Sequence, residues 1–294
     1  GSTAVTTTPA ELNLIDGGAT VGTTAIADGD GLLINDAGTM RVSTVQTLAA
    51  YFDDEITAMP NLVTVGAAGT LSTIAGVKFF NESNSIYTHD VSATTSGANR
   101  NTAIGINALD AITTGDDNAA FGQNALTTNT TGSENAGIGM EALKANTTGA
   151  RNVALGHATL QANTTANDNV AVGSNALFAN TTGANNTALG KSAMVANTTG
   201  YNNTVLGSVA GSGITTGGDN VAVGFNTMLA TVTGDENTTI GNDSLKALTS
   251  GSYNTAVGAN ALTANNTGAD NIGVGYSALQ GNTTGANNVA IGKW

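Results

Sequence analysis

Carboxylates return at a fixed interval through the last two thirds of this 294-residue chain. Asp116, Asp117, Glu134, Asp168, Asp219, Asp235, Glu236 and Asp270 all fall on two adjacent places of a 17-residue period. Stacked repeats would set Asp117 near Glu134, and two carboxyls at a suitable separation are what glycosidic-bond hydrolysis requires. A column of such oxygens could also hold calcium. Arg100, Arg151 and Tyr253 occupy the same column, however, so the sequence does not maintain it as a site. A solvated, charged corner is the plainer reading. His89 and His157 stand far apart with no partner at metal-ligand spacing, and an exposed loop residue accounts for each. No nucleophile elbow, phosphate loop or zinc-protease motif is present. The 0 cysteines rule out thiolate sites and disulfides. No catalytic residue, cofactor or metal ligand is expected.

Two further patterns touch on recognition. Paired threonines, from Thr130-Thr131 to Thr283-Thr284, raise an ice-binding surface. Neighbouring residues of an extended chain face opposite ways, and Val232, Ser250 and Asn266 interrupt the pairs. The Asn-Thr-Thr triplets also match glycosylation sequons but read as a recurring turn. Aromatic side chains at solvent-facing places, Tyr201, Phe225, Tyr253 and Tyr276, could stack on sugars. They are the speculative receptor contacts.

What positions these residues is the repeat itself. Asn101-Thr-Ala-Ile-Gly105 returns as Asn118-Ala-Ala-Phe-Gly122 and, twelve copies in all, ends with Asn288-Val-Ala-Ile-Gly292. We number the places 1 to 17 from Ala98, so coil 1 begins at Ala98, coil 2 at Gly115 and coil 12 at Gly285. Asn holds place 4 throughout, Gly place 8, and Ile, Leu, Val or Phe place 7. Glycine, asparagine and threonine recur too often for a helical repeat. The period therefore predicts a parallel β-solenoid of about twelve coils, an all-β fold. Places 4 to 8 are expected to form one strand, and places 10 to 14, as in Asn175-Ala-Leu-Phe-Ala, a second, with Asn, Gly, Asp and Thr turns between them.

Stacking at about 4.8 Å turns each place into a column. Asn101, Asn118, Asn135, Asn152, Asn169, Asn186, Asn203, Asn220, Asn237, Asn254, Asn271 and Asn288 then form an amide ladder. The place-8 glycine is required by a positive φ or by close approach at the corner. Place 6 is small and place 7 large, and they point to opposite faces. Both faces being apolar, one should meet the coil interior and the other a neighbouring subunit, and the sequence leaves open which is which. Place 9 runs Ile106, Gln123, Met140, His157, Ser174, Lys191 and onward without preference, which marks exposure.

The first third differs in kind. Thr8 and Pro9 open a short helix signal closed by Gly17. Thr23–Ala27 and Gly31–Asn35 read as two strands around Asp28-Gly-Asp-Gly31, a hairpin, with a further strand at Thr39–Ser43. Ser43 or Thr44 would cap an amphipathic helix over 45–56. Residues 61–76 read as short strands, and the aromatic stretch from Lys78 to Asp90 leads into the repeats. This divides the chain into a small α+β fibre segment (1–60), a β shaft or linker (61–97) and the solenoid (98–294). Segments with so little core need a partner, and in a fibre that is another copy.

Bulk properties narrow the partners. The net charge is −13 with no basic face, so nucleic acid is not expected. No stretch reaches 18 apolar residues, so membrane insertion is not expected either.

The Asn-x-Ala-Ile-Gly strand resembles the head repeats of trimeric autotransporter adhesins, which are left-handed parallel β-rolls of three chains about one axis. The longer unit, Asn-Thr-Ala-x-Gly-x-x-Ala-Leu-x-x-Asn-Thr-Thr-Gly, is similar to repeats of phage tail fibres, often followed by an endosialidase-type intramolecular chaperone. The Thr-Pro-Ala-Glu-Leu-Asn-Leu-Ile-Asp-Gly and Asn-Leu-Val-Thr-Val-Gly phrases are similar to tail-fibre shaft segments. The last copy stops part-way round a coil at Trp294, so a C-terminal continuation is expected. The resemblance implies a homotrimer in the virion tail fibre that takes part in host attachment. Its implied partners are a host cell-surface glycan or protein and other fibre or baseplate proteins. A bacterial trimeric surface adhesin is the alternative, and a polysaccharide depolymerase or ice-binding protein a more distant one.

Overall fold

The computed structural model describes residues 97–293 in full and, before them, the strands 31–36, 39–44, 80–82 and 85–87. The chain divides into two compact units, Gly1–Gly69 and Thr70–Trp294. In the first, β1 (Gly31–Asp36) pairs antiparallel with β2 (Thr39–Thr44), Asp36 opposite Thr39 and Gly31 opposite Thr44. A hairpin thus joins Gly31–Asp36 to Thr39–Thr44; the hairpin expected between Thr23–Ala27 and Gly31–Asn35 involves residues outside the described ones. A two-residue connection ending in glycine suffices for a hairpin, and Gly31 is itself the first strand residue. The helices expected after Pro9 and over 45–56, and the strands expected over 23–27 and 61–76, lie outside the described residues.

In the second unit β3 (Phe80–Glu82) and β4 (Ser85–Tyr87) are antiparallel. β4 then runs parallel to β5 (Thr102–Ile104). From β5 to β16 (Val289–Ile291) one parallel strand comes from each coil, stacked in chain order to give a 14-stranded sheet. Every step keeps the 17-residue offset, as in Ala103 opposite Ala120 and Ala120 opposite Gly137. The second unit is thus a parallel β-solenoid.

Each coil carries one strand, and only places 5 to 7 form it. The second strand predicted at places 10 to 14 is absent. Places 10 and 12 have left-handed backbone, for example Asn175 at φ 59° and Leu177 at φ 50°. The reason lies in burial. A strand would turn places 11 and 12 to opposite faces, but both point inward here: Ala125 and Leu126 are each 0% exposed, as are Ala176 and Leu177. A left-handed residue costs on the order of 1–3 kcal/mol, whereas burying a leucine returns roughly 1.5–3 kcal/mol. The backbone still bonds between coils, with Leu109 N donating to Ala125 O at 3.0 Å and Ala111 N to Thr127 O at 3.1 Å.

Inside the coil, the small side chain of place 6 meets the large one of place 12. Coil 7 exchanges the two sizes: place 6 is Val205 and place 12 is Gly211. A Cβ added to Gly211 would come within 3.0 Å of Val205 Cγ2. Coil 9 makes the interior polar instead, with the hydroxyls of Thr239 and Ser244 bonded to each other. At the place-8 corner both reasons for glycine hold. Gly122 sits at φ +136°, and a Cβ there would lie 2.6 Å from the carbonyl oxygen of Gly139.

Candidate interaction surface

The strand settles which column faces out. Place 6 is inward: Ala103, Ala120, Ala154, Ala171, Ala188, Ala222 and Ala256 are all 0% exposed. Place 7 is outward: Ile104 is 45% exposed, Leu155 44%, Leu206 49% and Ile240 43%. Place 5 flanks it with Val153, Val170 and Ile272, also exposed. The result is an apolar strip whose continuous column is place 7, widened at place 5 by Val and Ile in some coils and interrupted there by Thr102, Thr187, Thr204, Thr238 and Thr255. At roughly 4.8 Å per coil it runs for about 50 Å.

Two rims border the strip. The leading rim is places 2 and 3. Arg100 grips Asp117 through two bonds, 2.6 and 2.8 Å, and Arg151 grips Asp168 at 2.6 and 2.9 Å. Each arginine's hydrogen bonds hold its partner's carboxyl below the ordinary aspartate range. Asp117, the first half of the predicted Asp117–Glu134 pair, is therefore taken by a cation. Place 2 does a different job. Asp116 Oδ1 accepts from Asn99 N at 2.7 Å, Asp235 Oδ1 from Gly218 N at 2.7 Å and Asn167 Oδ1 from Ala150 N at 2.7 Å. These side chains close backbone bonds between coils, so only place 3 is the solvated corner that the sequence predicts.

The four aromatic residues are 47–55% exposed but are not gathered. Tyr201 and Tyr253 stand on the leading rim in coils 7 and 10. Phe225 and Tyr276 stand at place 9, on the trailing rim, in coils 8 and 11. Three coil steps of roughly 4.8 Å separate the members of each pair. Tyr201 lies on Gly218, whose added Cβ would fall 2.7 Å from its Cζ. Tyr253 is bonded to Glu236, whose charge, with those of Asp235 and Asp270, raises its phenol above the ordinary value. Lys293 Nζ sits 5.8 Å from the centre of the Tyr276 ring.

The remaining candidates are dispersed. His157 is exposed at place 9, and His89 lies outside the described residues. Among the described residues no three His, Cys, Asp or Glu side chains are grouped to hold a metal ion. No described helix is long and apolar enough to cross a membrane. The threonine pairs divide their labour. The place-16 hydroxyl donates to the place-16 carbonyl of the next coil, as from Thr113 to Thr130 at 2.9 Å and from Thr147 to Thr164 at 3.0 Å. Only the place-17 threonine faces solvent.

The place-4 asparagines form a continuous column, buried from Asn101 to Asn271. Asn118 Nδ2 donates to Asn101 Oδ1 at 3.1 Å and to Gly132 O at 2.9 Å. The backbone N of each later ladder asparagine donates to the Oδ1 one coil before, from Asn118 at 2.9 Å to Asn288 at 3.0 Å. A second ladder, which the turn reading misses, occupies place 15. Asn146, Asn163, Asn180 and Asn197 each donate to the asparagine one coil before at 2.7–3.0 Å. The signal was there: this asparagine recurs three residues before the place-1 glycine, and its Nδ2 also bonds that residue's carbonyl, as Asn129 does with Gly132 at 2.9 Å.

No family model matches the chain, and neither the curated proteins nor the solved structures contain a match.

Proposed function

We propose that the chain is a structural and adhesive segment of a viral tail fibre, a homotrimer that contributes to attachment to a host cell-surface glycan or protein. The observation that carries this reading is the outward apolar strip. A soluble single chain rarely exposes a contiguous apolar patch beyond a few hundred Å², and this one extends along all twelve coils. Other copies of the same chain, repeating at the same rise, are the occupant whose period matches it. Three-fold closure about the strip is the arrangement that the resemblance to trimeric adhesin heads and tail fibres supplies, and it leaves the other faces of each coil free for a receptor.

The test is the mass of the full chain in solution. Light scattering should give three times the chain mass of 28.9 kDa, and a mass of one chain would overturn the trimer. Attachment is a separate measurement. Labelled protein should bind intact bacterial cells or their purified surface glycans, and Tyr201→Ala with Phe225→Ala should weaken that binding several-fold. Glycan shortened by incubation with the protein would instead favour a depolymerase.

A further inference from the structure

We infer that coils 7 to 9 form a soft seam that divides the solenoid into two separately opening blocks, residues 98–199 and 251–293. In a stacked array each coil holds only its neighbours, so the weakest interface decides where the stack opens. Three observations locate that interface in the same stretch.

The second asparagine ladder stops there. Place 15 is Ile214 in coil 7, Thr231 in coil 8 and Leu248 in coil 9, and asparagine resumes at Asn265. Asn197 is the last rung, and its Oδ1 is buried with no hydrogen-bond partner, because Ile214 below it has no side-chain N–H. Two more buried acceptors are stranded in the next two coils, Ser212 Oγ and Thr227 Oγ1, on residues 8% and 0% exposed. The fourth such atom among the described residues, Asp243 Oδ1, has Lys246 Nζ at 3.0 Å and is met by charge.

The backbone also slips. In the regular coils place 14 donates to place 13 of the next coil, as Ala111 does to Thr127. Gly213 donates instead to Met228, one residue early, and Val232 N returns a bond to Gly213 O at 2.8 Å. Val232 therefore swings inward to bridge Ile214, while Leu229 and Thr231 turn outward. Gly213 permits the slip, since a Cβ there would lie 1.7 Å from Ala230 O.

Ile214, Val232 and Leu248, each 0% exposed, fill the interior that the asparagines vacate. Apolar contact is non-directional, so the trio tolerates a coil rotating or sliding over its neighbour. An amide ladder does not, because its bonds weaken steeply off line. The seam keeps the stack filled while removing one of the two amide ladders that fix one coil against the next, leaving the place-4 ladder and the strand pairing to hold it.

Native-state hydrogen exchange on the full chain tests this. Amides of coils 7 and 8 should exchange at least about tenfold faster than their equivalents in coils 3 to 5, with protection recovering in coil 10 before it falls at coil 12. The recovery is the signature, since fraying from the ends gives a steady decline. A flat profile, or one that only declines toward Trp294, would overturn the seam. In Ser212→Ala with Thr227→Ala, which deletes both stranded hydroxyls and gives Thr227's place 11 its usual alanine, coils 7 and 8 should slow by about threefold or more while coils 3 to 5 stay unchanged. No slowing would overturn the role of the stranded acceptors, and the wild-type profile decides the seam whether or not the variant folds.

Discussion

Asn152 shows what one buried amide does in this fold. Its Nδ2 donates to Asn135 Oδ1 at 3.1 Å and to Ala166 O at 2.8 Å, and its Oδ1 accepts from Asn169 N at 3.1 Å. Each bond spans two coils or closes a corner. Asn152→Ala would leave the buried Asn169 N–H without its acceptor, at roughly 1–3 kcal/mol, while Ala166 O keeps Asn163 Nδ2 at 3.2 Å and Asn135 Oδ1 keeps Asn152 N at 3.0 Å. With the lost side-chain bonds we expect a loss of about 2–4 kcal/mol in denaturant unfolding. Gln123→Ala, at exposed place 9, should stay within about 0.5 kcal/mol. Leu177 balances two opposing effects, a left-handed backbone against a fully buried side chain. Leu177→Gly relieves the first and deletes the second, and a net loss of about 3 kcal/mol is expected because the cavity outweighs the strain. A neutral or stabilising result would show that strain dominates.

At the scale of the coil, the leading rim contributes to the acid response. Asp168 is held below its unfolded value of 3.8 by Arg151, as Asp117 is by Arg100. A depressed carboxyl contributes stability that is present above the unfolded pKa and lost as pH falls through the folded one. Thermal midpoints should therefore fall from about pH 4 downward, and Asp168→Asn should flatten part of that fall. The effect is small because both partners are solvent-exposed, and high salt should shrink it further. An unchanged acid slope in Asp168→Asn would remove this pair from the account. The same rim shows why one acidic cluster read from sequence is two columns in space. Place 2 faces the backbone of the coil before it, and place 3 faces solvent.

For the whole molecule, assembly depends on the strip. Ile138→Asp with Leu189→Asp puts two charges into it without touching the coil interior, since both side chains already face out. The proposed trimer should dissociate to single chains by light scattering while the β-sheet circular dichroism persists. Loss of both together would mean that the coils cannot stand alone, and no change in mass would show that the strip is not the interface.

Much of this was written in the period. Twelve returns of Asn at place 4 and Gly at place 8 dictate coils, their number, their stacking and the buried amide column, because a strict repeat allows only one kind of neighbour relation. What the period could not reveal is which way a residue faces. An Ala column and a Val/Ile/Leu column alternate identically whichever is inside, and only the inward-pointing Leu of place 12, which needs the space that Ala103 and its equivalents leave, puts the small residues within. The same leucine removes the expected second strand, since turning places 11 and 12 both inward takes left-handed backbone at places 10 and 12. The place-15 asparagines were equally visible as letters, but a turn residue and a buried ladder rung differ only in what lies one coil away. The sequence by itself determined the architecture, through local repetition. The tertiary structure decided the faces, and with them the surface on which association and recognition depend, because burial is a property of neighbours 17 residues apart.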